Sequence, residues 1–282
     1  MPPDDAPPPT PAGPILDAHT HAFPDDLAAR AIAALEAGAD WFPCRATYDG
    51  TVAGLLASMD RAGIRRSVVA NIATRPGQAA TIRAWSAAIA SDRLVPFASV
   101  HPDDPDPDGA VAAAAEAGLR GIKLHPYFMA CPADDPRMIR IARAAADAGL
   151  VVLCHAGYDL SFARSDVASP ERVRRLVEAV GGLTLVAAHL GGWECWDQAR
   201  THLAGRPVYL ETSYTLGRCL DGLLAEILSV HPPEYLLFGT DAPWRDQAAD
   251  VARFLALDID EGLKRQMLWE NGCRLLGLAP EG

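Results

Sequence analysis

No apolar run in the chain approaches the roughly 20 residues that a helix needs to cross a bilayer; stretches such as LVVLC at 150–154 are typical. A membrane span is therefore excluded. Cysteine is sparse and scattered: Cys44, Cys131, Cys154, Cys195, Cys219 and Cys273 include no C-x-x-C, which argues against a disulfide scaffold and against a structural zinc knuckle. They read as buried or inert thiols in a reducing cytoplasm. Positive charge is also short, with 25 Lys and Arg against 36 Asp and Glu and a net charge of −11, so a sequence-independent grip on nucleic-acid phosphates is disfavoured. The first 14 residues, MPPDDAPPPTPAGP, contain no Lys or Arg and no apolar core, and so lack the features of a signal peptide. They are expected to form a disordered Pro-rich tail, and the protein is expected in the cytoplasm.

What the chain does have is apolar mass. Half of its 282 residues are hydrophobic, enough for a large core. Length alone leaves one or two domains open, because an α/β barrel can run to about 250 residues as one unit. The pattern decides. Eight β-rich runs recur, at 15–23, 66–73, 94–100, 121–128, 150–157, 183–191, 207–214 and 235–244, and their near-continuous Val, Leu and Ile content suits parallel strands buried on both faces. Ala-rich amphipathic stretches separate them, several ending in Gly, and Ser169-Pro170-Glu171 supplies an N-cap with proline at the first helical position. The economical architecture is a (β/α)8 TIM barrel, a single domain over 15–282; a doubly wound open sheet is the alternative.

Two segments depart from the repeat. The stretch from Ala22 to Gly50 is too long for an ordinary βα loop and carries Trp41, Phe42, Cys44 and Tyr48. It is either a lid or pocket wall, or an excursion that packs its aromatics on the barrel rim. The final DEGLKRQMLWENGCRLLGL reads as one more amphipathic helix, bent near Asn271-Gly272 and packed outside the barrel.

In such a barrel the reacting groups sit at the C-terminal ends of the strands. His19 and His21 lie two apart on strand one, and the two-residue strand period sends both to one face. Lys123 and His125 share a face on strand four, while His155, His189 and Asp241 end strands five, six and eight. Five of the eight histidines fall at these positions, so although one strand-end histidine alone reads as structural, the set reads as a site. Imidazole with carboxylate suits zinc, and also manganese or iron, in a site that keeps one position open for the water it activates.

DAHTH, GIKLHP, CHAG, AHLGG and GTDAPW, in this order, resemble the amidohydrolase superfamily, and best its amidohydrolase-related group of small metal-dependent TIM-barrel proteins. ENGCRLLGL resembles that group's C-terminal helix, so the resemblance spans residues 15–278. It implies that His19, His21, His155 and Asp241 bind a divalent metal, that Asp241 also takes a proton from the bound water, and that His189 is either a ligand of a second metal or a catalytic group. In binuclear members a strand-four Lys is carbamylated and bridges two metals, so Lys123 is either such a bridge or a lysine that holds a carboxylate of the substrate or of a neighbour. TatD-type nucleases carry a strand-four Glu where this chain has Lys123 or His125, which lowers a nuclease reading.

Other strand-end residues complete the expectation. His125, Tyr127 and Trp244, with Lys123, are expected to contact substrate; Phe128, Tyr158 and Trp193 suit the walls of a pocket for an aromatic or cyclic compound. Arg164 and Arg245 could bind a carboxylate, although solvated surface arginine is commoner. His101 belongs to a Pro/Asp turn. The expected activity is a metal-dependent hydrolase that cleaves an amide, lactone or ester-like bond of a small molecule, using one or two ions. Non-oxidative decarboxylation of an aromatic or unsaturated acid is the alternative, and a retained binding protein is a third. Nucleic acid and membrane are not expected partners; a homodimer is compatible with the reading.

Overall fold

Each apolar run of the sequence becomes a short parallel strand, and the computed structural model describes residues 13–39 and 41–279. The strands are β1 (Ile15–Thr20), β2 (Ile64–Ala70), β3 (Leu94–Phe97), β4 (Gly121–Leu124), β5 (Val151–Cys154), β6 (Leu185–Ala187), β7 (Tyr209–Glu211) and β8 (Leu236–Leu237). Alternating with them are α2 (Val52–Ala62), α3 (Ala79–Ile89), α4 (Pro107–Glu116), α5 (Pro136–Asp147), α6 (Pro170–Ala179), α7 (Trp196–His202), α8 (Asp221–Val230) and α9 (Gln247–Leu255), and α1 (Asp25–Gly38) lies within the first connection. The start at Ser169 is as the sequence implies: its side chain accepts from Arg172 N–H ahead of Pro170. Apart from Gly13 and Pro14, the expected Pro-rich tail lies outside the described residues.

Parallel ladders join β1-β2-β3 and β4 through β8. Backbone bonds then cross both seams. Ala98 N–H donates to Gly121 O at 2.9 Å and Lys123 N–H to Ala98 O at 2.8 Å, while Ala18 N–H donates to Phe238 O at 2.9 Å and His21 N–H to Ala242 O at 2.6 Å. The eight strands thus follow one another in sequence order round a TIM barrel, which leaves no free sheet edge. Strand β8 is shorter than its sequence run, because the backbone past Leu237 turns into the polar stretch that carries Asp241.

Alternation divides the apolar residues into two layers. Outward side chains such as Val69, Ile122, Val152, Leu185 and Leu210 meet Leu55, Met59, Val111, Ile141 and Val173 from the helices. Inward ones, Leu16, Ala18, Val68, Val95, Phe97, Val151, Val186 and Leu237, fill the barrel. The same inner layer contains Trp269, Cys273 and Leu276. These belong to the C-terminal segment, where α10 (Glu261–Arg265) and α11 (Asn271–Leu276) are joined by a π turn at Gln266–Glu270. The segment therefore does not pack outside the barrel as expected. It closes the N-terminal mouth, where the inner apolar layer would otherwise face water. Buried Asn271 fixes it there, its amide donating to Pro233 O and Leu236 O at 2.8 Å each.

A bulge in β1 positions the chemistry. The register of β1 on β2 shifts between Asp17 and Thr20, and both Ala18 N–H and His19 C=O bond toward the β8 side. The interior face therefore passes from Leu16 and Ala18 to His19 and His21, while Asp17 turns outward to Thr240 and Gln247. An uninterrupted strand would have sent the apolar pair and the histidine pair to opposite faces.

Gly121 marks how full the barrel is: a Cβ there would lie 2.5 Å from the Phe97 ring and 2.6 Å from Val151 O. Gly121→Ala is therefore expected to destabilise the fold by about 1–3 kcal/mol, the cost of overpacking. Urea unfolding checks this, since a lower midpoint at unchanged slope is the expected outcome and an unmoved midpoint contradicts it.

Candidate metal centre

Five imidazole rings form a row across the C-terminal mouth. Ring centroids step 5.1 Å from His21 to His19, 5.3 Å from His19 to His189, 4.8 Å from His189 to His155, and 4.1 Å from His155 to His125, the last pair stacked. All five are buried. The structure brings His19, His21 and Asp241 into one tight group, with Asp241 Oδ1 at 2.9 Å from His21 Nε2 and 3.5 Å from His19 Nε2. His155 sits further along the row, grouped with His125 and Asp159.

In His19, His21 and His155 one ring nitrogen is already committed, whereas His125 Nδ1 is buried without a hydrogen-bond partner. A carbonyl oxygen only accepts, so the nitrogen facing it carries the proton. His21 Nδ1–H donates to Ala70 O at 2.6 Å and His155 Nε2–H to Tyr158 O at 2.9 Å. His19 Nδ1 donates at 2.9 Å to Glu211 Oε1, which also accepts from His189 N–H at 3.0 Å. These bonds aim His19 Nε2, His21 Nε2 and His155 Nδ1 inward as nitrogens that carry no proton of their own when the rings are neutral. His155 Nδ1 is 3.1 Å from His189 Nε2, while His189 Nδ1 faces the Ser213 carbonyl oxygen at 3.2 Å and Ser213 Oγ at 2.8 Å, so Nδ1 carries the proton of a neutral His189.

Burial holds His19, His125 and His155 well below the ordinary histidine range, and the Lys123 cation adds to this at His19 and His125. Burial alone would raise Asp241, but His19, His21 and His189 around it outweigh that and hold its carboxyl below the usual range. The ammonium of Lys123 is almost fully buried and donates to His19 Nε2 at 2.8 Å; desolvation pushes it down to about 8. Three electron-pair donors facing one another repel unless a cation or proton lies among them. A divalent ion fits that set, since two imidazoles and a carboxylate are transition-metal donors.

Backbone strain gathers at the same place: His189, Tyr214 and Asp241 all have positive φ and all line the cavity. That cavity holds about 670 Å³. His19, His21, Lys123, His125, His155, His189 and Asp241 face it at one end, with Phe128, Tyr158, Trp193 and Trp244 on the walls. Trp41 backs Trp193 at 5.2 Å and its Nε1–H donates to Phe162 O at 2.9 Å, while Pro24, Leu27, Leu35 and Cys44 of the long first connection line the cavity itself.

Two expectations change. Tyr127 is not on the cavity wall; it lies behind His155 at 6.1 Å, its hydroxyl donating to Ser165 O, because the chain after β4 turns that ring toward the neighbouring loop. Arg245 is tied to Asp250 at 2.6 and 3.0 Å and to Leu216 O, so it braces α9 and does not reach substrate. Arg164 is exposed over the Trp41 and Tyr158 rings, outside the main cavity, in keeping with the commoner reading of a surface arginine. His101 caps its own turn, as expected, with Nδ1 accepting from Asp103 N–H.

Sequence reasoning passed over Glu211, Ser213, Asp159 and Asp17. Glu211 has no solvent exposure, and Gly239 leaves it room, since a Cβ there would lie 2.3 Å from Glu211 Oε2. The available signal was an acid inside an apolar parallel strand, where charge is rarely buried without a partner.

A family profile described as amidohydrolase matches residues 16–278. No match appears among curated proteins. Among solved structures, 5-carboxyvanillate decarboxylase from Sphingomonas paucimobilis is 18% identical, with a TM-score of 0.69 over 94% of this chain and 99% of that one. A 5-carboxyvanillate decarboxylase from Novosphingobium aromaticivorans, complexed with manganese and 4-hydroxy-3-methoxy-5-nitrobenzoic acid, is 15% identical, with a TM-score of 0.71 over 95% and 97% of the two chains. A Pseudomonas putida structure provisionally described as 2-pyrone-4,6-dicarboxylic acid hydrolase is 18% identical, with a TM-score of 0.65 over 95% and 99%. At these identities the likeness concerns the fold.

One titration belongs to the wall behind the site. Asp17 accepts from His19 N–H, from Thr240 N–H and Oγ1–H and from Gln247 Nε2–H, yet desolvation outweighs these bonds and pushes its carboxyl up to about 7. A carboxyl raised on folding stabilises fully below its unfolded value of 3.8, and that contribution is lost as pH rises through about 7. In metal-free protein, the stability of Asp17→Asn relative to the parent is therefore expected to increase from pH 4 to 7. Urea midpoints across that range check it, and a pH-independent difference contradicts it.

Proposed function

We propose that this chain, which belongs to the amidohydrolase family and is accordingly an enzyme, is a divalent-metal-dependent hydrolase of an amide, lactone or ester-like bond in a small molecule. The observation that carries the reading is the orientation of His19, His21 and His155. Each has one ring nitrogen committed to a carbonyl or carboxyl oxygen and the other turned inward at the mouth that holds Asp241. Partners of this kind fix the tautomer and raise ligand basicity in metal sites.

His19 Nε2, His21 Nε2 and Asp241 Oδ1 would hold the ion; His155, which the family resemblance adds as a fourth donor, stands further along the row with Nδ1 beside His189 Nε2. The imidazole-rich set favours zinc, with manganese or iron as alternatives. The bound ion supplies Lewis acidity, polarising the scissile carbonyl and acidifying water. The chain's own groups then act around the reacting centre. Asp241, kept ionised by its imidazole neighbours, takes the proton of the attacking water. His189, once protonated on both ring nitrogens, hydrogen-bonds the developing oxyanion through Nε2–H and then gives that proton to the leaving group, returning to its neutral Nδ1–H form. Trp193, backed by Trp41 and Phe42, keeps bulk water away, and His125 and Trp244 bear on the substrate.

Hydrolysis is preferred to decarboxylation because the arginines that would grip a leaving carboxylate do not reach the cavity: Arg245 is bound to Asp250 and Arg164 lies outside. Lys123 favours the second reading, since its buried ammonium is the cation at the polar end. As an unmodified amine it is assigned to a substrate oxygen. A carbamate on Nζ would instead serve a second ion, and the intact mass of the purified protein separates the two.

Purified protein is expected to carry a transition metal. Glu211→Gln, which keeps the shape but weakens the hold on His19 Nδ1, is expected to lower metal affinity by about 10- to 100-fold. Competition with a chelator measures this, and unchanged affinity would remove the basis of the site. Asp241→Asn is expected to cut turnover by roughly 10² or more, the usual worth of a positioned proton-transfer group. A screen of lactones, amides, esters and aromatic acids with metal-loaded protein tests the reaction class. Release of CO2 from an acid, with no ester, lactone or amide cleaved, would overturn the hydrolase in favour of a decarboxylase.

A further inference from the structure

We propose that the substrate carries, behind its reacting carbonyl or carboxyl group, an extended apolar body seated in an arm of the cavity between α1 and the connection from β2 to α3. The inference rests on the assignment of the polar end as the reacting end.

The cavity is divided by chemistry. Its carboxylates, Asp159 and Asp241, lie at the end with Lys123 and the five histidines. The same cavity is also lined by Phe23 and by Leu27 and Leu35 of α1, and, after β2, by Ile72 and by Ile82 and Trp85 of α3, with Asn71, Thr74 and Thr81 as uncharged polar residues among them. No carboxylate lines this arm among the described residues, and Arg75, its one cationic residue, is exposed at the rim. Gln78, also on the arm, has its Oε1 occupied by Thr74 N–H at 2.8 Å and Arg75 N–H at 3.0 Å. The arm therefore offers little to a charged body and much to an apolar one.

Helix α1 strengthens the case. It is an insertion in the first connection, and Ala28 is its one buried residue, so its apolar side chains do little for the core. Leu27 is 38% exposed and Leu35, Ile72, Ile82 and Trp85 are half-buried. Apolar groups left wet in a concave wall gain when a ligand covers them. The volume points the same way: about 670 Å³ lies within the range of roughly 300–1,000 Å³ that accepts a drug-sized ligand, so a single-ring acid at the polar end would leave the arm filled with water.

The test uses n-alkyl hydroxamates, from acetohydroxamate to octanohydroxamate, titrated calorimetrically into metal-loaded protein. Their heads chelate the ion and their tails report the arm. Affinity is expected to tighten by about two- to fourfold per methylene, the worth of burying that group. Ile82→Asn should abolish this gradient while acetohydroxamate binds as before; Leu27→Glu, at the exposed rim, serves the same purpose if the first variant does not fold. Acetohydroxamate binding with no gain from longer tails overturns the apolar arm and leaves the metal site standing. Failure of acetohydroxamate to bind counts against the metal site, and straight-chain alcohols from butanol to octanol, which need no metal, then decide the arm. A thermal midpoint that shifts progressively with chain length in the parent but not in the variants supports it, and a flat series overturns it.

Discussion

A carboxyl group without solvent contact, Glu211, underlies the arrangement of the barrel mouth. It accepts from His19 Nδ1–H, from the His189 backbone N–H and from Ser213. A buried carboxyl is tolerated only when such bonds satisfy it, so the same contacts that make the glutamate acceptable also tie β1, β6 and β7 together at their C-terminal ends. The absence of a Cβ at Gly239 is what admits it. Removing one partner would leave the others desolvated and unpaired, which is costlier than the bond itself.

From that contact the polar end follows by a chain of orientation. Glu211 sets His19, and the Ala70 and Tyr158 carbonyls set His21 and His155. Each ring is left with one tautomer when neutral, and the inward nitrogens carry no proton of their own. Burial then works against protonating His19 and His155, while the imidazoles around Asp241 keep that acid ionised. The mouth thus concentrates electron pairs in a low-dielectric place, with Lys123 as the cation that answers them in the protein alone. Such a cluster is unfavourable for stability by itself and is held in place by the surrounding fold, as the positive φ of His189 and Asp241 also indicates.

The closed end of the barrel does the complementary work. Trp269, Cys273 and Leu276 complete the inner apolar layer, and the β1 bulge hands the interior over from that layer to the histidines within a single strand. One end is therefore given to stability and the other to chemistry, as is general in this architecture. Helix α1 and Cys44, which line the cavity, come from the long first connection, so specificity can vary there without disturbing the strands.

Much of this was legible in the chain. Period and apolar content marked the eight strands and the helices between them because burial on both faces forces near-continuous Val, Leu and Ile. Histidines at strand ends marked the site because imidazoles in that number have no structural need to coincide there. The rest required partners far apart in sequence. Glu211 sits 192 positions from His19, and nothing local announces their bond. Tyr127 and Arg245 looked like contacts for substrate until packing turned one behind His155 and paired the other with Asp250. The C-terminal helix showed an apolar face but not which surface would cover it. Residue types and their order thus determined the barrel and the kind of chemistry at its mouth, since hydrophobic period and ligand character are local properties. Tertiary structure alone decided which nitrogen of each ring faces inward, which carboxyl supports it and where the apolar arm lies, because these depend on contacts between residues that only the closed barrel brings together.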